Sequence, residues 1–146
     1  MTIVRPIDAR DRAQWQPLWD GYNLFYERPD FSPQITEVTW ARFLDPDEPM
    51  FTAVAERDGR LVGLVHYLFH RSTTMVEDVC YLQDLFTLPE ARGEGVGKAL
   101  IEYVYNQAKG GGSTRVYWQT HENNPARKLY DQVAQLTAFR RYVKDL

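Results

Sequence analysis

Residues 86–100 read FTLPEARGEGVGKAL, and the fold turns on this stretch. A hydrophobic run closes at Leu88-Pro89, and three glycines (Gly93, Gly95, Gly97) then alternate with other residues between Arg92 and Lys98. Glycines so close together let a backbone approach something closely, and amides at a helix start favour anions. Downstream, Val96, Leu100, Ile101, Val104, Tyr105 and Ala108 recur at helical spacing. Upstream, VCYLQDLFT belongs to a strand expected over about 75–87. The stretch therefore reads as strand, glycine turn and helix, with an anion site at the junction.

Working outward, Asp58-Gly59 separates two β-rich runs and predicts a hairpin with strands near 50–56 and 61–70. Ile3–Pro6 reads as a first strand. Trp15, Leu18, Trp19, Tyr22, Phe25 and Tyr26 line one face of a helix over Asp8–Phe25, which Pro29 and Pro33 end. A second helix is expected over Thr36–Leu44. Beyond GGGS, the run at 114–120 predicts a strand, and Asn124-Pro125 supplies an N-cap and a first-turn proline for a helix to about Gln135. AFRRYVK reads as a closing strand. The order β-α-α-β-β-β-α-β-α-β gives a mixed α/β sheet, mostly antiparallel, in one domain spanning 1–146.

A chain of 146 residues builds one substantial core. Its single cysteine, Cys80, leaves no internal disulfide framework and fits a reducing, cytoplasmic setting. No secretory leader or membrane-spanning run is evident. The net charge of −3 argues against nucleic acid as the main partner. Residues 1–90 are acidic and 91–146 basic, a polarity suited to an anionic cofactor beside a cationic substrate.

Two nucleotide motifs fail on this loop. A P-loop needs glycine, four further residues and then Gly-Lys-Ser/Thr, and the chain has Arg92 and Ala99 in place of the first glycine and the Ser/Thr. A dinucleotide fingerprint needs a third glycine where Lys98 stands. The remaining pattern, Arg92-x-x-Gly95-x-Gly97 after LQDLFTLPEA, resembles the acetyl-CoA loop of the GNAT superfamily of N-acetyltransferases. NNPARKLYDQV extends the resemblance, with Asn123, Ala126 and Tyr130 on the family's Asn-x-x-Ala-x-x-x-Tyr.

The resemblance implies a central sheet with helices on both faces and acetyl-CoA as co-substrate. It places the cofactor along Leu85, Phe86 and Thr87 and around Arg92, Gly93, Glu94 and Gly95. Val96, Gly97, Lys98, Asn123, Arg127 and Tyr130 complete the implied contacts. It further implies an oxyanion donor in the backbone N–H of Leu85, where the strand bulges, and a thiolate acid or hydrogen-bond donor in Tyr130.

An acceptor ammonium near pKa 10.4 is neutral in only about one molecule in a thousand at pH 7, so a base is needed. The diamine branch of the family carries Leu-Glu-Asp where this chain has Leu82-Gln83-Asp84, and Gln83 cannot take a proton. Asp84 stands nearest the chemistry, with Glu77, Asp78 and Glu122 as alternatives acting directly or through water. Val133-Ala134 replaces the usual Gly-Phe after the tyrosine, as in a subgroup with histone- and small-amine-acetylating members. His66 and His70 share a strand face about 13 Å apart, too far for one metal. Family habit and the strand-like FRRYV imply a homodimer. The acceptor is a small-molecule or protein amine, and the rival reading is a non-catalytic acyl-CoA-binding module.

Overall fold

The computed structural model describes all residues 1–146. Strand β1 (Thr2–Pro6) leads through a single 3-10 turn into helix α1 (Arg12–Phe25), and helix α2 (Pro33–Leu44) follows. Strands β2 (Met50–Arg57), β3 (Arg60–His70) and β4 (Val79–Thr87) come next, then helix α3 (Val96–Gly110). A two-residue strand β5 (Val116–Tyr117) and helix α4 (Arg127–Val133) complete the order. The sheet runs β1-β2-β3-β4-β5, antiparallel except for the parallel β4–β5 pair.

Local chemistry explains most of these elements. Asp8 accepts from Arg10 N and forms a reciprocal cap with Asp11, whose carboxylate Arg5 grips at 2.8 and 2.9 Å. Pro33 does not merely end α1; it occupies the first turn of α2, where a missing N–H costs nothing. Asp58 and Gly59 both take positive φ (50° and 77°), the geometry of a tight hairpin turn.

Each sheet face buries its own cluster. Trp15, Leu18, Trp19 and Tyr22 of α1, with Trp40 of α2, pack on Val54, Leu61, Leu64 and Phe86. Val96, Leu100, Ile101, Val104 and Ala108 of α3 pack on Ala53, Ala55, Val65 and Leu82 on the opposite face. Full burial of side chains such as Trp15, Leu64, Leu100 and Ile101 contributes about 1.5–3 kcal/mol each.

Two expected strands differ. The run at 114–120 pairs with β4 only through Val116 and Tyr117. The closing strand does not form, because residues 134–146 have no regular structure and a two-residue β5 offers no ladder to extend. Helix α4 begins at Arg127 with Ala126 as its N-cap, so Asn124 and Pro125 stand ahead of the helix instead of capping it; Asn124 Oδ1 accepts from Ala126 N at 2.9 Å in a preceding turn.

Candidate active site

Strand β4 is paired on only part of one side. Against β5 it pairs solely at Cys80 and Tyr81, whereas against β3 it stays paired to Thr87. From Leu82 to Thr87 the β5-side edge has no neighbouring strand, so backbone groups on that edge are available to a ligand, apart from Thr87 O, which accepts from Arg92 Nε. His70 to Tyr117 (2.7 Å) and Gln119 to Tyr81 (3.1 Å) tie the closed end together. The expected strand residues Leu85, Phe86 and Thr87 all lie along the open part.

The glycine loop lies just past this edge. Gly93 and Gly95 take positive φ (77° and 83°), with open space where a Cβ would stand. Gly95 is the N-cap of α3 and its carbonyl receives Ala99 N at 3.0 Å, leaving the Val96, Gly97 and Lys98 amides without an intrahelical acceptor. Helix dipole and free N–H groups make this an anion cradle that fits a pyrophosphate. A Cβ on Gly97 would meet Leu129 Cδ2 at 3.2 Å, so this glycine admits α4.

The charged members are partly committed elsewhere. Arg92 donates Nε–H to Thr87 O at 3.1 Å and lies over the Phe86 ring. Glu94 pairs with Arg57, and Lys98 stands 3.9 Å from Glu102. Arg127 donates to Glu122 O at 2.7 Å, while Asn123 is exposed with no side-chain hydrogen bond in the chain.

Tyr130 projects from α4 against Trp118, ring centroids 5.4 Å apart. Burial, with a contribution from Tyr26, pushes its phenol up to about 12. It therefore keeps its proton across the working pH range.

Asp84 shows an arrangement the sequence did not reveal. The β3–β4 register slips between His66 and Tyr67, leaving Gln83 as the extra residue of a bulge. The irregularity stands two positions before Leu85, and it turns Asp84 from the α3 face to the α1 face. There His66 Nδ1 lies 2.9 Å from Asp84 Oδ2, and Trp15 Nε1 lies 3.1 Å from His66 Nε2. An indole N–H only donates, so Nε2 accepts and the ring proton on Nδ1 is donated to Asp84. Tyr22 faces the same carboxylate, and burial first, then that charge, raises its phenol. His66 thus positions a carboxylate. Cys80 is fully buried and burial pushes its thiol up to about 12, which makes it a poor nucleophile.

A half-open strand edge ending at a glycine-lined helix start, beside a phenol and a buried carboxylate, defines an acyl-CoA-dependent transferase. The family model of the Acetyltransferase (GNAT) family matches residues 15–134, and the chain belongs to that family as an N-acetyltransferase with acetyl-CoA as co-substrate. It is 38% identical over 138 residues to D-amino-acid N-acetyltransferase HPA3 of Saccharomyces cerevisiae, covering 92% of this chain and 85% of that one. An aminoglycoside N(6')-acetyltransferase type 1 of Klebsiella aerogenes is 27% identical over 154 residues, covering 95% of each. The structure of AAC(6')-Iy in complex with a bisubstrate analogue superposes with TM-score 0.84 at 18% identity, covering 100% of this chain and 99% of that one. None of these relatives is named for a histone acceptor.

Proposed function

We propose that the protein transfers the acetyl group directly to the primary amine of a small acceptor, with amino acids of the D-series the leading class. The yeast relative's name supports that class, and the open β4 edge running into the α3 cradle is the observation that carries direct transfer. Acetyl-CoA supplies an activated thioester. The Gly93–Lys98 turn would hold its pyrophosphate, with Arg92 nearby, and the β4 edge from Leu85 to Thr87 its pantetheine arm. The buried, protonated Cys80 speaks against an acetyl-cysteine route.

In this reading the Leu85 N–H receives the oxygen that gains charge. Asp84 attracts the acceptor ammonium and takes its proton, directly or through water, while His66 and Tyr22 fix its orientation. Tyr130 donates a hydrogen bond to the departing sulfur. Full proton transfer from a phenol near 12 to a thiolate near 8.5 would be uphill by roughly 5 kcal/mol, so hydrogen bonding dominates. We also infer a cytoplasmic homodimer, supported by the free thiol and by the exposed apolar side chains of residues 136–146.

The test has two arms. Acetyl-CoA at about 100 times its dissociation constant should stabilise the fold by about 2.7 kcal/mol, and Gly95→Asp should abolish that gain by setting a carboxylate in the cradle. Thiol release should appear with a panel of small amines. Stabilisation without release from any amine would favour the non-catalytic module.

A further inference from the structure

We propose that Arg28 is the anion-recognising residue of the acceptor site, so that the preferred amine carries a carboxylate close by. The inference rests on the acetyl-transfer reading above and adds a specificity determinant to it. Arg28 follows α1 in a turn where Glu27 takes a positive φ of 59°. Its Nε–H is donated to Oδ1 of the buried Asn23 at 3.1 Å, and its backbone N–H to Asn23 O at 2.8 Å. The guanidinium carbon sits 5.7 Å from the Tyr22 and Tyr26 ring centroids and 5.6 Å from that of Phe31. An exposed arginine is thereby pinned at one end and seated on three rings.

What it lacks is a counter-charge. Four arginines near the sheet have carboxylate partners, Arg5 with Asp11, Arg12 with Glu37, Arg57 with Glu94 and Arg60 with Glu90, while Arg92, without one, donates to Thr87 O. Arg28 has no ion pair, and its two terminal nitrogens make no hydrogen bond within the chain. A guanidinium fork matches a carboxylate through two parallel N–H donors.

Its location gives that match a purpose. The rings beneath it are those that lead to the reacting groups. Tyr26 lies 4.9 Å from Tyr22 between ring centroids, Tyr22 stacks on Trp19 at 5.5 Å, and Trp19 lies 5.2 Å from His66, the partner of Asp84. An amine held over Asp84 therefore has a fixed cation on its α1 side. That cation opposes a polyamine or a polycationic sugar and favours a zwitterion whose carboxylate lies beside its amine.

The experiment titrates D-phenylalanine, D-phenylalaninol and spermidine into the full chain saturated with CoA, read by calorimetry without turnover. D-phenylalanine should bind more tightly than its alcohol by about tenfold or more, the scale of a charge-assisted pair. Arg28→Gln should erase that preference and Arg28→Lys should keep part of it, with CoA affinity and circular dichroism unchanged. Equal affinity for acid and alcohol in the wild type overturns the proposal, as does a preference that survives Arg28→Gln. Tighter binding of spermidine, or no binding of any of the three, also overturns it. Absence of thiol release with every amine would count against acetyl transfer instead, because the binding ratio is read independently.

Discussion

At the scale of single residues, Tyr130 separates an enzyme from a binding module. Tyr130→Phe keeps the ring against Trp118 and deletes only the hydroxyl. If that hydroxyl supports the departing sulfur, turnover should fall by about 10²-fold, the lower range for such assistance. Acetyl-CoA affinity should hold, since the interaction forms as the thiolate does. Steady-state kinetics beside a CoA titration check both, and turnover within twofold of wild type would remove the role. Tyr130 and the glycines were legible because each belongs to a short motif whose spacing carries its own geometry. His66 was not legible as a partner of Asp84. Their pairing depends on a bulge at Gln83 and on a strand register set across the 71–78 connection, which residue alternation does not encode. Arg28 was equally hidden, because an arginine after a helix becomes informative only once its missing counter-charge is visible.

At the scale of elements, the placement of the cradle depends on how closely α3 approaches the sheet. Gly63 on β3 makes that approach possible. A Cβ there would meet Val96 Cγ1 at 2.9 Å, Leu100 Cδ1 at 3.1 Å and Phe86 O at 3.1 Å. Val96 opens α3, so Gly63→Ala would push the helix start that presents the free amides. The substitution should cost about 1–3 kcal/mol by overpacking and also weaken acetyl-CoA binding. Gly21→Ala is the control on the other face, where a Cβ would strike Phe86 Cζ at 2.6 Å. It should lower stability while moving CoA affinity less. Urea denaturation with CoA titration of both variants checks this, and equal affinity losses would deny α3 its special part. The elements show the same divide in legibility. The β2–β3 hairpin and α3 follow from local chemistry, Asp58-Gly59 in one case and an apolar stripe in the other. The strand expected from AFRRYVK does not form, because a strand needs a partner edge and no propensity supplies one.

At the scale of the whole molecule, that unformed strand leaves a conspicuous surface. Leu136, Phe139, Tyr142 and Val143 are 73%, 93%, 97% and 63% exposed, a cost that a single chain does not relieve. The same tail carries Arg140, Arg141 and Lys144, whereas residues 1–90 are acidic, so the tail complements a body of its own kind. The sheet meanwhile ends at the short β5, where Tyr117 is 37% exposed. If the inferred homodimer forms, the tail of a second copy would lie beside β5 of the first, and the first would return the contact by two-fold symmetry. Removal of residues 135–146 leaves the fold's own bonds in place, including Tyr105 Oη–H to Val133 O at 2.8 Å. Sedimentation at micromolar concentration should show a dimer for the full chain and a monomer for the truncated one. Phe139→Asp and Tyr142→Asp together should reproduce the truncation without shortening the chain. A full-length monomer, or a truncated chain that stays dimeric, would place the tail's apolar residues outside self-association.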